Sequence, residues 1–86
     1  MDRYAKQFER AIRAETDLSE ISKEHELALI GFCEAVQDLL GYGDADYVLG
    51  GVLRWGPSLS KIYSTPIGTD AWNALAIQAE DAFYKD

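Results

Sequence analysis

Few residues in this chain have the chemistry of a reaction centre. His25 and Cys33 are the only histidine and the only cysteine. They stand eight positions apart, on different faces of a helix. A zinc site needs about four Cys, His or carboxylate ligands, so these two cannot supply a usual structural site. His25 lies between Glu24 and Glu26, the flanks of a general base or a pH switch. No nucleophile or second base accompanies it. The preferred alternative is a partly buried histidine hydrogen-bonded to a neighbour, or one at the frayed, wetter half of its helix. Cys33 stands among Ile30, Phe32 and Val36. With no helix N-terminus or cation beside it to lower its pKa, it is expected to be a buried, inert thiol.

The ligand motifs stop short. Asp44-Ala45-Asp46 begins like a calcium loop, but Val48 and Leu49 occupy the next ligand and turn-glycine positions. Trp55 stands where the bidentate Glu belongs. Gly41-Tyr42-Gly43 begins like a phosphate cradle, yet the third glycine position is Asp46 and a helix precedes it. No catalytic, cofactor-binding or metal-ligating residue is assigned, and the chain is not expected to be an enzyme.

Charge is the stronger signal. The 86 residues carry 15 acidic and 8 basic side chains, net −7. A nucleic-acid binder neutralises phosphates with Lys and Arg, so direct nucleic-acid binding is not expected. Neither is docking on an anionic membrane. The excess is local: residues 15–46 hold nine acids against Lys23 alone, whereas residues 1–14 are net +2. Glu20, Glu24, Glu34 and Asp38 are read along one side of a long helix, with Asp44 and Asp46 at its end. Tyr42, Tyr47 and Trp55 are the candidate aromatic anchors beside them. These nine residues are the expected partner-binding set of a protein-binding module, an acidic inhibitor or adaptor meeting a basic surface. A basic nucleic-acid-binding protein is one such partner. A sharper version is nucleic-acid mimicry, by analogy of size and charge with small acidic phage inhibitors such as some anti-CRISPR proteins. The plain alternative is an acidic face that keeps the domain soluble. Two further alternatives stay open. An apolar ligand could be held between helices by Gly50, Gly51, Trp55, Tyr63 and Trp72. A homo-oligomer could form through the apolar girth of residues 27–40.

The elements that must position these residues are helical. The length suits one domain, residues 1–86, and not two. The expected fold class is all-α: four to five helices around a central one at about 17–40. A first helix is expected over 2–15, with Tyr4, Phe8, Ala11 and Ile12 on one stripe and Arg3, Lys6, Arg10 and Arg13 on a basic one beside it. That basic stripe suits a solvated face or a match for the acidic segment that follows.

In the central helix Leu18, Ile21, His25, Ala28, Phe32, Ala35 and Leu39 alternate by three and four, a heptad seam. Leu29, Ile30, Cys33, Val36 and Leu40 widen it, so that the C-terminal half is apolar over most of its circumference. Asp17 with Glu20 resembles a capping box, and Gly41 is a natural stop. Residues 45–55 fit either a helix capped by Asp44 or a hairpin around Gly50-Gly51. Helix is preferred, because two short strands make no stable sheet. Its glycine pair then implies close backbone packing. A short helix is expected over 57–63 and a last one over 70–84, capped by Thr69. Trp72, Leu75, Ala76, Ala79 and Phe83 are its core stripe. Ile77, Tyr84 and Ala74 lie on another face as a small candidate contact patch.

Two short stretches resemble known families. Leu40-Gly41, Asp44-Ala45-Asp46 and Val48-Leu49 are similar in flavour to acyl carrier proteins, but Ala45 stands where their prosthetic-group serine belongs, so the carrier function does not transfer. Asp70-Ala71-Trp72-Asn73-Ala74-Leu75 resembles a piece of acyl-CoA-binding proteins, also four-helix domains. The match covers about six residues and lacks the lysines and tyrosine that grip CoA phosphates, and neither family is adopted.

A single cysteine permits no intrachain disulfide, and a small domain without staples is expected in a reducing, cytoplasmic compartment. The polar start lacks the apolar core of a signal peptide, and no apolar run is long enough to span a membrane.

Overall fold

The computed structural model describes residues 3–15, 18 and 20–85, with Arg3 by its backbone alone. It contains five helices: α1 (Arg3–Ala14), α2 (Lys23–Leu40), α3 (Ala45–Trp55), α4 (Leu59–Ser64) and α5 (Asp70–Tyr84). No strand occurs among the described residues, so the all-α expectation holds and residues 45–55 are a helix. α2 packs against all four other helices, while α3 also meets α1 and α5. The result is nearly isometric, 28 × 27 × 25 Å.

The caps explain the boundaries. The Asp44 carboxylate accepts from the Tyr47 N–H at 2.9 Å, and Thr69 Oγ1 accepts from the Trp72 N–H at 3.3 Å. Each satisfies an orphan donor of a first turn. α2 starts later than the periodicity implied. Ser22 is its N-cap, its hydroxyl accepting from the His25 N–H at 3.1 Å. Glu20 therefore sits in a turn before the helix, and Asp17 lies outside the described residues. Asp2, at the expected start of α1, does so too. α4 likewise starts two residues later than expected, at Leu59, because Ser58 is its N-cap.

The heptad seam is corrected by the packing. Of its positions within α2 only Phe32 is buried; His25 and Leu39 are exposed, and Ala28 and Ala35 are half-buried. The widening positions Leu29, Ile30, Cys33, Val36 and Leu40 are buried as expected, and Glu26 joins them. A central helix covered from several sides hides a broad 3.6-period stripe rather than a two-stranded seam. That cover leaves only Leu27 and Leu39 of the apolar girth strongly exposed. In α1 Phe8, Ala11 and Ile12 are buried as expected, but Tyr4 is exposed. In α5 the expected stripe of Trp72, Leu75, Ala76, Ala79 and Phe83 is buried throughout.

The glycine pair divides. A Cβ on Gly51 would lie 2.1 Å from the Phe83 ring, whereas one on Gly50 would meet nothing within 4 Å. Only Gly51 carries the close packing, as the seat of the ring that joins α5 to α3.

Candidate docking face

The end of α2 is where exposed apolar surface collects. Gly41 (φ 79°) ends the helix in the left-handed region, its N–H donating to the Gln37 carbonyl. Gln37 Nε2 donates to the Gly43 carbonyl at 2.8 Å, which pins the turn. Gly43 (φ 94°) has no Cβ because the Tyr47 ring lies where one would stand, 2.7 Å away. This turn holds Tyr42 and Tyr47 with ring centroids 6.1 Å apart. Tyr47 continues onto Phe83 at 5.4 Å, and Phe83 onto Trp55 at 5.6 Å, edge to face. Tyr84 joins the group from α5. Local desolvation and the charge of Glu80, with Tyr42 and Tyr47 nearby, push its phenol above the ordinary value.

Among the described residues eight large apolar side chains stay exposed. Six of them, Tyr4, Leu39, Tyr42, Tyr47, Ile77 and Tyr84, belong to this corner. Tyr4 and Tyr42 share a hollow with Gln37, Asp38, Gly41 and Gly43. Leu39 and Ile77 face each other across a groove between α2 and α5, floored by Ala35 and Ala76 and closed by Asp38 and Asn73. Asp38 lines both. Gathered exposed apolar surface of this kind marks contact sites, whereas single scattered residues do not.

The nine residues expected to bind a partner are not one face. Glu24, Glu34 and Asp38 fall within about 80° of one another around α2. Glu24 and Asp38 are fourteen residues apart, about 21 Å along the axis. Glu20 lies before the helix, at the far end from the tyrosines. Glu34 is half-buried. Asp44 is engaged as the α3 cap. Asp44 and Asp46 border a hollow shared with Gln7 and Arg10 of α1, so part of the basic stripe faces them. Trp55 is half-buried, held by Phe83 and flanked by the Arg54 guanidinium at 5.9 Å. Asp38, Tyr42 and Tyr47 are the expected residues that do come together. Leu39 and Tyr4 were absent from that set, although Leu39 on a presumed seam and Tyr4 on a presumed core stripe left a trace. Ile77 and Tyr84 were legible as a patch, but not as part of this corner.

The carboxylate most embedded in the fold is another one. Glu26 is only 4% exposed. Its Oε2 accepts from Arg13 Nε at 3.2 Å and its Oε1 from Lys23 Nζ at 3.3 Å. Glu9 touches the same two cations, at 3.4 and 3.5 Å. Burial alone would raise the Glu26 pKa. The hydrogen bonds and charges of Arg13 and Lys23 outweigh it and hold the carboxyl below its ordinary value. The cluster ties α1 to α2, so Arg13 of the basic stripe answers the acidic segment internally. The signal was present: Glu26 falls in phase with Leu29, Ile30, Cys33 and Val36 along the buried line.

The other singled-out residues are placed as follows. His25 is exposed and stacks on Tyr63, centroids 4.0 Å apart and planes 1° from parallel. Cys33 is buried, and desolvation with the charge of Glu34 pushes its thiol far above the ordinary range. Trp72 packs edge-on against Phe32 at 5.8 Å. Of the residues weighed for an apolar ligand, Gly51 seats the Phe83 ring, Tyr63 stacks on His25 and Trp72 packs on Phe32. Among the described residues no group of three or more His, Cys, Asp or Glu is placed to hold a metal ion. No described helix is long and apolar enough to cross a membrane.

No family model matches this chain, and neither a curated protein nor a solved structure matches it.

Proposed function

We propose that this domain is a non-enzymatic protein-binding module, an acidic inhibitor or adaptor that engages a basic partner surface. The carrying observation is the corner where exposed Tyr42 shares a hollow with Asp38 and packs near Tyr47, and exposed Tyr84 stands beside Glu80. Tyrosines supply large, stiff contact area at low entropic cost and are enriched at interface hot spots. Carboxylates between them favour Lys or Arg across the interface and raise the association rate. Nothing cationic competes on the long helix: α2 carries no Lys or Arg after Lys23.

A discrete aromatic and acidic face supports this reading better than a nucleic-acid mimic does. A mimic relies on a row of free carboxylates. Here Glu26 is locked to Arg13 and Lys23, and Asp44 caps α3.

The test is a pull-down from host lysate with low- and high-salt washes, comparing the wild type with Asp38→Lys and Tyr42→Ala. All replaced side chains are exposed, so the variants keep the fold. A basic protein captured by the wild type, released by salt and lost with both variants is the expected result. Equal capture by wild type and variants, or no salt-sensitive capture, refutes the assignment.

A further inference from the structure

We infer that the groove between α2 and α5 is a docking site for an amphipathic helix of a partner protein, apolar on one face and flanked by Lys or Arg. The inference rests on the basic-partner reading for the sign of the charge and on the groove itself for the shape. The groove encloses about 350 Å³. Its floor, Ala35 and Ala76, is made of side chains too small to hold off an incoming helix. Its walls, Leu39 and Ile77, are 46% and 54% exposed. Two side-by-side helices leave a furrow that a third helix fills by ridges into grooves, at about 8–10 Å between axes. The described residues offer no strand edge for an extended peptide.

The apolar lane has a length. Ile77 and Tyr84 are seven residues apart on α5, and Tyr42 follows Leu39 by three. From Asn73 to Tyr84 the helix rises about 16 Å, three turns of a docked helix. The tyrosines would lie at one end of that lane, where their faces suit a flanking guanidinium or ammonium.

The charge of the two helices chooses the occupant. Between residues 24 and 40, and between 70 and 84, there is no Lys or Arg. The same segments hold Glu24, Glu34, Asp38, Asp70 and Glu80, besides Glu26, which is paired with Arg13 and Lys23, and Asp81, which is paired with Lys85. A second copy seated symmetrically on this face would set one acidic face, with Asp38 and Glu80, against another, in a chain of net charge −7. A helix with basic flanks meets no such repulsion.

The experiment is an amide chemical-shift titration of the whole 86-residue protein with synthetic helical peptides of leucine and lysine. One peptide has its leucines on one face. A second has the same composition in scrambled order. A third has glutamate for lysine. The patterned lysine peptide is expected to shift the amides of Ala35, Leu39, Asn73, Ala76 and Ile77 saturably. Scrambling, or Leu39→Glu with Ile77→Glu in the protein, is expected to weaken binding by about tenfold or more. Both replaced side chains are solvent-facing, and an unchanged melting curve confirms that the double variant is folded. Equal binding of patterned and scrambled lysine peptides overturns the groove and leaves the basic-partner reading standing. Equal binding of the glutamate peptide overturns both. Shifts confined to residues outside the groove, or self-association through it, overturn the helix-docking inference.

Discussion

Replacing Glu26 by glutamine tests how the fold holds α1 against α2. The substitution keeps the shape and removes the charge. Glu26 is nearly buried, and each of its oxygens takes one hydrogen bond from a cation. A bond to a charged group nets about 1.5–3 kcal/mol. Here the donors' side chains are 61% and 64% exposed, so water screens them toward the exposed-pair value of at most about 1 kcal/mol each. Desolvation of the carboxylate offsets part of the gain. The net loss in Glu26→Gln is therefore about 1–2 kcal/mol at neutral pH. In a domain of this size that lowers Tm by about 4–16 °C.

The pH dependence has a definite sign. The folded pKa of Glu26 lies below its ordinary value of 4.5, so the stabilisation is complete above the unfolded pKa. It fades as pH falls through the folded pKa. Thermal melts followed by circular dichroism should show the wild-type advantage narrowing as pH falls below the ordinary carboxyl value of 4.5. Arg13→Gln, which leaves the buried carboxylate behind with only Lys23, should cost more than Glu26→Gln. A Glu26→Gln deficit that stays constant with pH, or an innocuous Arg13→Gln, would refute the reasoning and make the site a packing contact alone.

Two further outcomes follow from burial and space. Gly50→Ala should stabilise the domain by about 0.5–1 kcal/mol, since its helix gains an alanine in open space, whereas Gly51→Ala drives a methyl into the Phe83 ring and should cost about 1–3 kcal/mol; urea midpoints distinguish them. Cys33, buried and with its thiol held protonated, should resist a disulfide reagent in the folded protein and react only at the rate the domain opens, rising with urea.

Much of this was legible before the fold was known. The α5 stripe, its Thr69 cap, the Gly41 stop and the inert Cys33 follow from local rules of period, capping and burial. The same local rules misplaced the start of α2, because Ser22 and Asp17 are both good caps and sequence alone does not rank them. They also put His25 and Leu39 on a buried seam, whereas both are exposed. Positions 25 and 39 fit a seam as well as positions 26, 33 and 40 fit a stripe, and only the neighbours decide.

The candidate site divides in the same way. The acidic segment, the Tyr42–Tyr47 pair and the Ile77–Tyr84 patch are all written along the chain, because charge and helical phase are local quantities. Their union into one corner with Tyr4 and Leu39 is not, since it depends on how the ends of α1, α2 and α5 meet around the Gly41–Gly43 turn. The acidic sign and rough location of the proposed docking surface were thus determined by sequence. Which carboxylates stay clear of internal partners, Asp38 rather than Glu26 or the α3 cap Asp44, was decided by tertiary packing, which spends some charges on caps and ion pairs.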